Sequence, residues 1–185
     1  SLADIAVVFH DMEQYDEGVT YGKNGLKILQ SFSKPDPATT AFVLNAIAVN
    51  FDDWDKPDSA LLYHYKVFDL LTALDSSALT NTYNNIGNTL LKQEKYAEAR
   101  KWVNISKKFN YRTGNKYSLA TNFTNLATIA YSLNDFAEAE LMMDSAYKYV
   151  TESESREKLR DYLFDQFRFQ KKKGDLAEAI NYLEQ

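Results

Sequence analysis

Few side chains in this sequence could do chemistry near neutral pH. It holds two histidines, His10 and His64, and no cysteine. Histidine is where acid–base work or zinc binding would be sought first. Neither His has a second His, or a carboxylate at metal-ligand spacing, beyond what a helical surface supplies, so both read as surface or interhelical residues. The lack of Cys excludes thiolate metal sites, cysteine nucleophiles and a disulfide framework. Asp52-Asp53-Trp54-Asp55 is the densest carboxylate run, and its functional reading is a cation site. It lacks the glycine and closing glutamate of a calcium loop, so a solvated turn capping the helix near Pro57 is expected. Tyr21-Gly22-Lys23-Asn24-Gly25-Leu26-Lys27 has phosphate-loop ingredients at the wrong spacing and no strand before it. Lys171-Lys172-Lys173 reads as a helix end, where cations suit the C-terminal dipole. The sequons at Asn104 and Asn122 are expected inside helices on packed faces, which argues against glycan acceptance. No nucleophile, metal or cofactor constellation emerges, so a non-catalytic protein without cofactor or metal is expected.

The elements that position these residues are repeats. An aromatic or apolar residue followed three positions later by a small one recurs at Tyr15/Gly18, Pro57/Ala60, Tyr96/Ala99, Phe136/Ala139 and Leu176/Ala179. The small residues are 42, 39, 40 and 40 positions apart. Each unit divides into two helical patterns. Tyr83, Ile86, Gly87 and Leu90 follow the i, i+3, i+4, i+7 rule, as do Phe123, Leu126, Ala127 and Ala130. Second helices follow, with Ala99 and Val103, and with Ala139, Met143 and Ala146. Between them the pattern breaks at Gln93-Glu94-Lys95, and Asn134-Asp135 and Gly174-Asp175 carry turn and capping residues. Asp36-Pro37 predicts an N-cap followed by proline in the first turn. Gly87, Ala99, Ala127 and Ala139 are expected where helices cross closely.

The spacing of Tyr83, Ile86, Gly87, Leu90, Tyr96, Ala99 and Val103 resembles the tetratricopeptide repeat. The resemblance covers essentially the whole chain, with a period of about 40 against the usual 34. Longer repeats of this kind look like those of kinesin light chains, bacterial peptide-sensing regulators and sensor segments of bacterial kinases. The second unit departs at Pro57 and the fifth at Gln166-Phe167. The resemblance implies an all-α, right-handed superhelical solenoid of about five helix-turn-helix units, with first helices on its concave face. The expected units are about 1–37, 38–76, 77–115, 116–153 and 154–185, in a single solenoid. Because the pattern starts and stops inside helices, a fragment of a longer protein is expected, with Ile5, Val8, Ile180 and Leu183 exposed for weak end-to-end self-association.

One face breaks the local rules. Asn81, Asn84 and Asn88 form a stripe on a first helix, with Asn85 and Lys92 beside it. Thr121, Thr124 and Thr128 form the next stripe, with Asn125 and Ser132 beside it, and Asn45 matches one unit earlier. Asn and Thr cost up to about 0.7 kcal/mol each against Ala in a helix, so stability alone does not choose them. An amide donates and accepts as a peptide bond does. Asn45, Asn81, Asn84, Asn85, Asn88, Lys92, Thr121, Thr124, Asn125 and Thr128 are therefore the candidate residues for a protein or extended-peptide partner. The competing structural role is that these amides bond between neighbouring helices. The resemblance implies peptide grooves of this type and a bacterial signalling parent. The alternative function is a self-assembling scaffold.

Composition agrees with these expectations. Hydrophobic residues make up 45% of the 185, enough for a core, while Gly (6) and Pro (3) are too scarce for a turn-rich β fold. The net charge of −5 argues against a nucleic-acid partner. No apolar run is long enough to span a bilayer. Charge is uneven, −6 over residues 1–60, +5 over 61–120 and −4 over 121–185. The compartment stays open between periplasm and cytoplasm.

Overall fold

The computed structural model describes residues 1–73 and 79–183, the side chain of Leu183 excepted. The expected boundary between residues 76 and 77 falls outside the described residues. The described residues form ten α-helices and no strand: α1 (Leu2–Asp11), α2 (Tyr15–Gln30), α3 (Pro37–Asp53), α4 (Pro57–Ala73), α5 (Leu79–Lys92), α6 (Tyr96–Thr113), α7 (Lys116–Ser132), α8 (Phe136–Ser153), α9 (Arg156–Lys173) and α10 (Leu176–Leu183). They group into two compact units, Ser1–Glu94 and Lys95–Gln185.

The turns show why helices stop where they do. Glu13, Asp55, Glu94, Asn134 and Gly174 all adopt left-handed φ, between 55° and 94°. Each stands five residues before a small residue of the repeat. At Asn134 the cap is a Schellman motif: the Asp135 amide donates to the Ala130 carbonyl (2.9 Å) and the Asn134 amide to that of Tyr131 (3.0 Å). Asp135 then caps α8 by accepting from the Glu138 amide at 3.0 Å. Asp36 does the same for α3 from Thr39 (2.8 Å), with Pro37 in the first turn as expected.

The small repeat residues are fully packed: Ala60, Ala99 and Ala139 are 0% exposed and Ala179 1%. In the first unit the equivalent is Gly18, where an added Cβ would lie 2.0 Å from Asn50 Oδ1. Asn50 is buried and donates to the Ala6 and Ala46 carbonyls, so glycine is what lets α2 pass this amide. The core of this unit is built from Val19, Val43, Ile47, Phe51 and Ala60, continued by Leu44, Val67 and Leu71. In the other unit Phe123, Ala127, Tyr131, Met143, Val150, Tyr162 and Phe169 pack α7, α8 and α9 together. Ile5, Val8 and Ile180 are exposed; Leu183's side chain lies outside the described residues. No described helix is long and apolar enough to cross a membrane.

Candidate partner-binding site

In the unit formed by α1–α5, the acidic run proves structural rather than a solvated turn. Asp52 and Asp53 are the last residues of α3, where an anion faces the negative end of the helix dipole. Cations and donors from other helices offset this. His64 on α4, fully buried, holds Asp52 through Nε2 at 2.8 Å. The Thr89 hydroxyl of α5 donates to the Asp52 carboxylate at 2.8 Å. Lys92 donates to the Asp52 carbonyl (2.8 Å) and pairs with Asp53 (3.3 Å). His10 of α1 holds Asp53 at 2.7 Å. The expectation of a solvated turn failed because every partner comes from a distant helix. Both histidines are interhelical, in line with their sequence reading. Thr89 donates to the carboxylate and not to the imidazole, so this trio is no nucleophile–base relay.

Along α3 and α5 the candidate amides divide. Asn85 Nδ2 donates to Asn45 Oδ1 at 3.2 Å, tying the two helices together. For this pair the structure shows a stacking bond. Asn84 and Asn88 are half-buried beside it and Asn81 is exposed.

In the unit formed by α6–α10, two of the candidate threonines, Thr121 and Thr124, line the seam between α7 and α9, and Thr128 does not. Thr121, Thr124 and Thr128 donate their hydroxyls to carbonyls one turn back on α7, at 3.4, 3.1 and 3.0 Å. Their oxygens keep acceptor capacity. Thr121, Thr124 and Asn125 line a cavity of about 90 Å³ with Lys158, Asp161 and Asp165 of α9. Its apolar wall includes Val150 and Tyr162. Lys158 pairs with Asp161 at 3.4 Å and lies over the Tyr117 ring. Asp165 has only a loose pair with Arg168, at 3.9 Å, and accepts no hydrogen bond among the described residues. Desolvation pushes its carboxyl up to about 6, with Arg168 and Lys158 pulling down and Asp161 pushing up. Burial likewise pushes the Tyr162 hydroxyl up to about 12.

The four α9 residues were missed in the sequence, although one signal could have found them. Asn45, Asn85, Asn125 and Asp165 stand 40 residues apart, so Asp165 takes the ladder position in the fifth repeat. The sequons also divide: Asn122 is buried against Asn110 and Ser106, while Asn104 is exposed on α6, contrary to its expected packed face.

Helical pairs with polar seams between first helices, seen within each unit, define the class, a helical-repeat protein. Residues 78–152 match the family model of the tetratricopeptide repeat. Those residues carry the tetratricopeptide repeat, and the described helices have the all-α fold of tetratricopeptide-like solenoids, as the spacing indicated. Similar solved structures include BtubC from P. vanneervenii (16% identity, TM-score 0.77), covering 99% of this chain and 76% of that one. Aspartyl phosphate phosphatase F from Bacillus subtilis (13%, TM-score 0.80) covers 99% of this chain, which spans 57% of that protein. A putative kinesin light chain repeat protein from Podosopora anserina (13%, TM-score 0.76) covers 99% and 90% respectively. No curated protein sequence matches the chain.

Proposed function

We propose that this chain is a non-catalytic peptide-binding module of a larger signalling protein, bacterial in origin. Tetratricopeptide-like repeats are general protein-interaction modules. The observation that carries the finer reading is the polar lining of the α7/α9 cavity. Thr121, Thr124 and Asn125 stand there where better helix formers would be more stable. An extended peptide laid along the seam would meet amide and hydroxyl groups matched to its main chain. Among the described residues no group of three or more metal-ligating side chains occurs.

The test is a peptide screen followed by calorimetry on Thr124→Val with Asn125→Ala, both in the lining of that cavity. Two main-chain hydrogen bonds at roughly 0.5–1.5 kcal/mol each predict about tenfold weaker binding or more. Unchanged affinity with a lowered melting temperature would show that these side chains serve packing only. The scaffold reading has its own support in the exposed Leu141, Phe164, Leu176 and Ile180. Sedimentation at rising concentration tests it, and a constant monomer mass would oppose it.

A further inference from the structure

The α7/α9 cavity differs from the rest of the Asn ladder in charge. Asn45 and Asn85 bond to each other across α3 and α5. At the ladder position of α9 stands Asp165, a carboxylate in place of an amide. Its side chain is 21% exposed, yet no described group donates a hydrogen bond to it. Buried carboxylates ordinarily find donors. Lys158 does not supply one, because it is engaged with Asp161 at 3.4 Å and with the Tyr117 ring. Arg168, 55% exposed, stands 3.9 Å away, beyond hydrogen-bond distance. The cavity of about 90 Å³ exceeds the ~10–15 Å³ that one water needs. Its walls change from the Val150 methyls and Tyr162 ring to the Asp165 oxygens.

We propose that this cavity selects a basic residue of the bound peptide, its arginine or lysine head against Asp165 and its aliphatic stem against Val150 and Tyr162. This rests on the peptide-binding reading above and adds to it a sequence preference. Amide and hydroxyl groups grip any main chain, whereas a carboxylate beside them distinguishes side chains. A guanidinium fits best, because it donates two parallel bonds to one carboxylate. Asn125 and Thr124, lining the same cavity, would take the peptide amide next to that side chain. The desolvation that raises the Asp165 carboxyl is offset when a cation binds, so occupancy draws its titration back toward the ordinary carboxylate range.

An array of short acetylated peptides, scanned position by position, probes the full chain and its Asp165→Asn variant. The expected result is a preference for Arg or Lys at one position, by roughly ten- to hundredfold. Asp165→Asn should abolish it while peptides still bind, and so should acidification that protonates Asp165 in the unaltered chain. In parallel, acetyl-arginine amide is titrated while the Asp165 carboxyl is followed by NMR. Its titration should move to lower pH, and acetyl-norleucine amide should leave it unmoved. Bound peptides with no basic preference, or a preference that survives Asp165→Asn, would overturn the inference and leave the groove reading standing. A response to acetyl-arginine amide without any bound peptide would support the cation cavity and overturn the groove. Silence in both assays would overturn both.

Discussion

Replacing Asp165 by asparagine should stabilise the protein at neutral pH and do nothing in acid. The folded chain keeps the Asp165 proton up to about pH 6, whereas an ordinary aspartate releases it near 3.8. Between those values the folded state binds more protons than the unfolded one, so stability falls as pH rises through the window. Above it, an ionised carboxylate held at about 6 costs up to about 3 kcal/mol. The partial exposure of the side chain and the exposed Arg168 reduce this, and about 1–2 kcal/mol is expected. The charged or titratable groups around Asp165 are Asp161, Lys158 and Arg168 on α9 and Tyr131 on α7. Asparagine keeps the shape and carries no charge. Thermal unfolding of both chains across pH should therefore show Asp165→Asn melting roughly 2–8 °C higher above about pH 7. The two curves should converge below about pH 4. A gain that is the same at every pH would refute the desolvation argument and leave a packing effect. A loss at neutral pH would show that the carboxylate has a partner it needs.

Gly18→Ala should cost about 1–3 kcal/mol, because the new methyl meets the buried Asn50 amide, and chemical denaturation measures it. Gly87→Leu, at a buried position of α5, should lower the melting temperature by a similar overpacking cost, and an unchanged melt would mean that the position is not packed. Asp52→Ala leaves the buried His64 Nε2 without its partner, while Thr89 keeps the Asn85 carbonyl, and should cost more than about 2 kcal/mol, whereas Asp53→Ala, 42% exposed, should cost under about 1 kcal/mol. Glu94→Gly should stabilise by up to about 1 kcal/mol, since only its left-handed φ of 58° is at stake, and no gain in melting temperature would count against that strain.

The repeat was legible because close helix packing restricts a few positions to small residues at a fixed interval. Ala60, Ala99, Ala139 and Ala179 announce it in any reading of the sequence. The turns were legible only in part. Asn134 and Gly174 advertise a left-handed conformation, whereas Glu13, Asp55 and Glu94 adopt it without any compositional sign. The acidic run was misread for a different reason. Local spacing shows a cluster of like charge, while His10, His64, Thr89 and Lys92 arrive from other helices only when the chain folds. The candidate stripe was visible at Thr121, Thr124 and Asn125 through their poor helix propensity. Its α9 wall was not, because Gln166-Phe167 replaces the apolar–small pair seen at Ile86-Gly87 and Leu126-Ala127, and Asp165 reads as an ordinary surface acid.

The central claim is that this chain holds an extended peptide by its main chain. Calorimetry with a peptide selected from the array, against a twin N-methylated on the backbone amides that face the seam, tests it most directly. Methylation removes the donors and keeps every side chain. The account predicts about tenfold weaker binding or more for the twin, from two lost hydrogen bonds. NMR shifts on binding the unmethylated peptide should centre on Thr121, Thr124, Asn125 and Asp165. Equal affinity for the two peptides, or shifts confined to the exposed faces of α6 and α8, would contradict it.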